Sequence, residues 1–212
     1  MTTVRPVAAR LIAVSQRVDV IAGRNERRDS LDQRWTGFLD ACGLLPVAMP
    51  NTASPALAAA WLEEVAPAGI LLTGGNDLAA YGGDAPERDA VEALLIEHAV
   101  TRRIPLMAVC RGLQMLMHHF GAGLERVTGH AGTDHPVVLD DGATDTVNSY
   151  HNWSFTSVPP GFTAWATAPD GVVEAVRHDT LPLFGMLWHP ERNAPYRAVD
   201  LDLVRRHFGG DR

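Results

Sequence analysis

The amino-acid sequence predicts an α/β protein whose central sheet is mostly parallel and covered by helices on both faces. Two observations carry this. Short apolar runs ending in turn residues recur along the first half: RLIAVSQ (10–16), LPVAMP (45–50), GILLTGG (69–75) and PLMAVCRG (105–112). Segments with helical periodicity alternate with them, and that rhythm gives a parallel sheet with helices on each side. In such sheets the functional groups gather outside the carboxyl ends of the strands.

Taken in order, SLDQRWTGFLDACG (30–43) reads as a helix closed by Gly43. SPALAAAWLEEV (54–65) opens with Ser54 as N-cap and Pro55 at the next position. PERDAVEALLIEHAVTRR (86–103) is a further helix. From about Leu124 the texture changes, with Gly, Asp, Thr and His becoming frequent. HPVVLDDGATDTVNSYHNWSF (135–155) suggests short strands joined by turns such as Asp141-Gly142. FTAWATAPDGVVEAVRH (162–178) looks like a hairpin through Pro169-Asp170-Gly171. LPLFGMLWHPER (181–192) is another buried strand, and residues 197–208 form a terminal helix. With no linker composition in view, the expectation is a single domain over residues 1–212.

Composition narrows the function. The chain of 212 residues is 46% hydrophobic and carries a formal net charge of -7, which argues against a general nucleic-acid binder. The longest N-terminal apolar piece, LIAV (11–14), is too short for a secretory signal, and no segment approaches a membrane span. The two cysteines, Cys42 and Cys110, have neither zinc-site nor disulfide-framework spacing, so the expected compartment is the cytoplasm.

Three strand ends carry chemistry. Cys110 follows an apolar strand and precedes a helix, so its sulfur stands near the positive helix N-terminus, a field that stabilises a nucleophilic thiolate. Arg111 offers a backbone N–H at the same turn, and Gly112 removes a side chain where the turn is tight. A packing role is the ordinary reading of an isolated cysteine, and it suits Cys42 inside a helix. MLWHPER (186–192) supplies His189 as a base and Glu191 close enough to orient it. LLTGGNDL (71–78) puts Gly74 and Gly75 after a buried strand, where N–H groups can meet a developing oxyanion. A glycine pair alone decides little; the three together are far more specific.

On TGGNDL, PERDAVEALLIEHAV, PLMAVCRGLQML, VNSYHNWSF and GMLWHPE, in that order, the chain resembles the class I glutamine amidotransferase superfamily, and within it the gamma-glutamyl-gamma-aminobutyrate hydrolase type of cysteine peptidase. The resemblance implies a flavodoxin-like three-layer α/β/α fold and a Cys110, His189, Glu191 triad. It further implies an oxyanion hole from the backbone of Gly75 and Arg111, and a glutamyl pocket with Gly74, Gln114, Ser149, Tyr150 and His151. The implied reaction is hydrolysis of a γ-glutamyl amide through a thioester, releasing glutamate and requiring no cofactor.

The leaving group is read from GRNERRDSLDQRW (23–35), expected as a loop at the active-site end. Arg24, Arg27 and Arg28 there are either a solvated run or binders of an anionic leaving group. Together with VNSYHNWSF this stretch looks most like the gamma-glutamyl-CDP-amidate hydrolases, where a pyrophosphate meets arginines and Trp35 or Trp153 stacks on a base. The alternatives are a glutaminase subunit feeding ammonia to a separate synthase partner, and a non-hydrolytic redox or binding protein of the same fold. A homodimer is left open. His130 and His135 flank glycine-rich turns, but no third ligand has helpful spacing, so no metal is assigned. Arg88 and Asp89 are assigned no chemistry.

Overall fold

The computed structural model describes residues 10–52 and 54–209. In chain order these form β1 (Arg10–Val14), β2 (Arg17–Ile21), β3 (Glu26–Ser30), α1 (Arg34–Ala41), β4 (Leu44–Ala48) and α2 (Pro55–Val65). There follow β5 (Gly69–Leu72), α3 (Pro86–Arg102), β6 (Leu106–Val109), α4 (Arg111–His119) and β7 (Glu125–Arg126). The remainder comprises β8 (Ala131–Leu139), β9 (Thr144–Tyr150), β10 (Trp153–Ser154), β11 (Phe162–Thr167), β12 (Val173–His178), β13 (Leu183–Met186) and α5 (Ala198–Gly209).

The apolar runs become central strands because they can be buried on both sides. In β1, Ile12 and Val14 face one way and Ala13 the other; in β6, Met107 and Val109 oppose Leu106 and Ala108. One face packs on Trp35, Phe38 and Leu39 of α1 and Val204 and Phe208 of α5. The other packs on Leu62 of α2, Leu95 of α3 and Leu116 of α4. The result is the expected flavodoxin-like α/β/α layering. Local signals hold at the helix ends: Ser54 Oγ accepts the Leu57 N–H at 3.3 Å, and Gly43, at φ +78°, closes α1.

Among the described residues one nine-stranded sheet runs β4-β1-β5-β6-β13-β12-β11-β8-β9. It is parallel from β4 to β13 and antiparallel from there outward. The parallel part is the alternating half of the sequence plus β13, which returns from the later half to pair with β6; the antiparallel part comes from the turn-rich half after Leu124.

The stretch 23–35 departs from expectation. It is an antiparallel hairpin, not a loop: β2 pairs with β3 in the register Arg17↔Ser30, Asp19↔Arg28 and Ile21↔Glu26. Its turn uses positive φ at Gly23 and Asn25. Hydrophobic patterning misses β3 because its residues are all polar and mostly exposed. The helix expected from Ser30 therefore begins only at Arg34.

Candidate active site

β1, β5, β6 and β13 are parallel neighbours, so the turns after their carboxyl ends converge on one edge of the sheet. After β6 the chain turns sharply into α4. Cys110 takes φ 53° and ψ −112°, a conformation costly for a residue with a Cβ, and its N–H donates to the Met186 carbonyl at 2.8 Å. The next turn is tight enough that a Cβ on Gly112 would strike the Leu72 carbonyl. Arg111 is the first residue of α4, where helix geometry leaves N–H groups without intrahelical partners.

After β13, His189 Nδ1 meets Glu191 Oε1 at 2.7 Å, with both side chains buried. Asn148 on β9 clamps the His189 backbone, accepting its N–H at 2.8 Å and donating to its carbonyl at 2.9 Å. Burial works against charge on His189. The neighbouring Cys110 sulfur and the Glu191 carboxylate outweigh burial and push the imidazole up to about 9. The imidazole of His189 is therefore held in its protonated form at neutral pH.

Gly74 closes the third side: a Cβ there would lie 2.8 Å from His189 Cε1 and 3.5 Å from the Cys110 Cβ. Beneath this loop Arg88, which shows no solvent exposure, donates to the carbonyls of Thr73 (2.7 Å), Gly74 (3.1 Å) and Gly75. In a trans peptide the N–H points opposite the C=O, so pinning the Gly74 carbonyl inward turns the Gly75 N–H outward, to the side away from Arg88. Arg88 is balanced by Glu92 at 2.9 Å, and Glu92 and Asp89 also hold the Arg111 side chain. Burial pulls the Arg88 guanidinium down to about 10 while Glu92 opposes this, leaving it charged at neutral pH. Sequence reasoning gave Arg88 and Asp89 no chemistry, because only the fold reveals that α3 runs beneath the Gly74-Gly75 turn.

A family model for the class I glutamine amidotransferases matches residues 38–197. The chain belongs to this family. It is 30% identical over 183 residues to a gamma-glutamyl-CDP-amidate hydrolase of Campylobacter jejuni, covering 85% of this chain and 90% of the relative. It is also 30% identical over 227 residues to the gamma-glutamyl-gamma-aminobutyrate hydrolase PuuD of Escherichia coli, covering 86% and 88%. Its fold resembles that of a glutamine amidotransferase from Thermotoga maritima, with a TM-score of 0.62 at 17% identity over 93% of this chain and 83% of that one.

In this chain the expected pocket residues separate. Gln114 is buried in α4 and donates to the Trp153 carbonyl at 2.8 Å. Tyr150 stands edge-on to His189, with ring centroids 5.5 Å apart. The side chains of Ser149 and His151 turn away, contrary to expectation. Ser149 donates to the His130 carbonyl and His151 meets Glu174, both fully out of the groove. Alternation along β9 sends Ser149 to the face opposite Asn148 and Tyr150. Of this segment, Tyr150 stands beside the His189 ring and Asn148 holds its backbone.

Arg24, Arg27 and Arg28 do not line the groove beside Gly74, Gly75 and His189. Arg27 is held by Glu87 and the Asp84 carbonyl, Arg28 by Glu26, and Arg24 sits exposed at the hairpin tip. The groove beside Gly74, Gly75 and His189 is lined by Arg17 and Arg192 together with Asp32 and Glu191, and Arg17 also pairs with Asp19 at 2.8 Å. Arg17 packs on Gly75, within 3.3 Å of where its Cβ would be, and Arg192 lies over the Tyr150 ring at 4.3 Å. Trp35 is buried against Phe38 and lines the groove, Trp153 meets Tyr81 at a tilt and lies beneath Arg126, and Tyr196 packs on Phe38. Cys42 is a packed thiol that burial pushes up to about 12.

His130 and His135 lacked a third partner by spacing, but the fold supplies two, His151 and Glu174.

Proposed function

We propose that the chain hydrolyses a γ-glutamyl amide through a γ-glutamyl thioester on Cys110. The observation that carries this is the strained Cys110 elbow standing against the His189–Glu191 pair. Cys110 Sγ attacks the δ-carbonyl, and the carbonyl oxygen becomes an oxyanion held by the N–H groups of Gly75 and Arg111. The imidazolium of His189 gives its proton to the departing nitrogen, and collapse breaks the C–N bond. Neutral His189 then takes a proton from water. The resulting hydroxyl attacks the thioester, glutamate leaves, and the thiolate–imidazolium pair is restored. Glu191 keeps the imidazole oriented and stabilises its charge. Gln114, Tyr150 and the backbone of 149–151 receive the glutamyl group.

The leaving group is anionic. Arg17 and Arg192 flank the groove beside His189, where the departing nitrogen must pass. The names of two relatives support the class: γ-aminobutyrate carries a carboxylate and a CDP-amidate a pyrophosphate. Of these, the CDP-amidate better suits a groove with two guanidinium groups.

The test is glutamate release from γ-glutamyl-CDP-amidate, γ-glutamyl-γ-aminobutyrate and glutamine, with Cys110→Ala as control. Preferred turnover of the nucleotide amidate, abolished in the control and weakened at least about tenfold in KM by Arg17→Ala, is the expected result. Turnover of glutamine above both amides would overturn the hydrolase reading in favour of an ammonia-supplying subunit.

A further inference from the structure

Behind β9, on the side away from Tyr150, the rings of His130, His135 and His151 converge on one carboxylate oxygen. Glu174 Oε1 lies 3.1 Å from His130 Nδ1, 3.2 Å from His151 Nε2 and 3.4 Å from His135 Nε2. We propose that these four side chains form a binding site for one divalent transition-metal ion, with zinc the best fit.

The separations suit it. Donors about 2.0–2.2 Å from a tetrahedral zinc stand about 3.4 Å from one another, close to the three distances to Oε1. The four donor atoms all lie within 4.8 Å of one another, so small rotations of the rings close the polyhedron. Three imidazoles and one carboxylate are the ligand types zinc and its neighbours prefer.

The outward nitrogens point the same way. His130 Nε2 meets Asp170 Oδ2 at 2.9 Å, and His135 Nδ1 meets the Pro136 carbonyl at 3.1 Å. Both partners are acceptors, so each outward nitrogen donates its hydrogen, and in the neutral ring the inward nitrogen is a lone pair facing Glu174. A carboxylate or carbonyl behind a metal-bound histidine is the usual orienting arrangement. Lone pairs converging on a carboxylate repel unless a cation sits between them or each ring takes up a second proton. The pocket also holds unmatched polar atoms: Glu174 Oε2 and His151 Nδ1 are buried without a hydrogen-bond partner, on side chains with no solvent exposure. A buried carboxylate oxygen in that state is expensive, and an ion that draws both oxygens resolves it.

The ligands come from three places: His130 just before β8 and His135 within it, His151 just after β9, and Glu174 in β12. An ion here would tie β8, β9 and β12 together behind the strand that presents Asn148 and Tyr150 to His189. It would act as a structural ion beside the catalytic histidine, independent of the substrate reading above.

The test uses untagged protein carrying Cys110→Ala, which removes the active-site sulfur as a competing ligand. After treatment with a chelator it is titrated with Zn2+ by calorimetry and with Co2+ by visible absorption. The expected result is one equivalent bound, the intense bands of tetrahedral Co2+, and a rise in Tm with Zn2+. Glu174→Gln and His135→Ala should each weaken binding by at least about 100-fold, and Asp170→Asn by about 10–100-fold. His135 and Asp170 lie at the edge of the cluster, so these two variants remain informative if Glu174→Gln does not fold. Absence of a stoichiometric ion, or binding unchanged by His135→Ala and Asp170→Asn, overturns the proposal and leaves a cluster held by protons alone.

Discussion

His189 is where packing and chemistry meet most directly. Its ring is buried, which alone would make it neutral, yet its neighbours hold the proton up to about 9. On the proposed mechanism kcat/KM should fall on the alkaline side with an apparent pKa near 9, as the imidazolium that protonates the leaving nitrogen is lost. Glu191→Gln removes the negative charge that raises the ring and leaves a neutral amide that holds it less firmly. It should lower that alkaline limb and reduce kcat by about 10²–10⁴. A pH–rate profile of the two proteins checks both; an unmoved limb would mean that Glu191 does not tune His189. The gathering of Cys110, His189 and Glu191 at one edge of the sheet was legible in the sequence because each follows an apolar run, and parallel strands bring their carboxyl ends together. Arg88 was not. Its importance comes from three carbonyls of a loop some thirteen residues away, and no local pattern encodes that.

At the scale of elements, the turn after β5 is held from below by α3. Arg88 reaches three successive carbonyls with its planar fork, which a lysine ammonium cannot do. Arg88→Lys keeps the charge beside Glu92 but frees the Gly74-Gly75 turn, so the Gly75 N–H loses its aim. The expected outcome is a fall in kcat of about 10², the typical effect of losing one oxyanion donor, with KM nearly unchanged. A residue that merely supported the fold would lower Tm and leave kcat per folded molecule intact, so the kcat measurement, normalised by thiol labelling of Cys110, separates the two roles. The β2–β3 hairpin teaches the complementary lesson. Only Val18 is buried along β2, and β3 is wholly polar, so the signal that makes strands readable is missing and the arginines were assigned to a loop. Pairing with β2 then decides which arginine enters the groove, and that is Arg17.

Over the whole molecule, the alternating half of the chain announced its parallel sheet, while the antiparallel half was visible only as turns and short strands. Its order beyond β13 depends on pairings between distant segments, as does the cluster that gathers His151 and Glu174 around His130. The last element, α5, closes the sheet face that packs α1. Phe208 presses on Gly69, where a Cβ would lie 2.5 Å from its ring, and His207 donates from Nε2 to the Leu106 carbonyl at 3.1 Å while its ring meets Phe184 at 4.4 Å. Burial lowers His207 from 6.5 to about 4, so in the folded protein the ring is neutral across the range in which the unfolded chain takes up a proton. A group with a depressed folded value contributes stability that is fully present above 6.5 and is lost as pH falls through about 4. The docking of α5 should therefore weaken across this window. His207→Asn, which keeps an N–H for the Leu106 carbonyl but cannot be protonated, should flatten that part of the profile. Urea unfolding of both proteins at several pH values between 7.5 and 4 checks it, about the width over which such a group titrates. Parallel curves for the two proteins would show that the proton taken up on acid unfolding goes elsewhere; converging curves would place it on the histidine that seats the last helix.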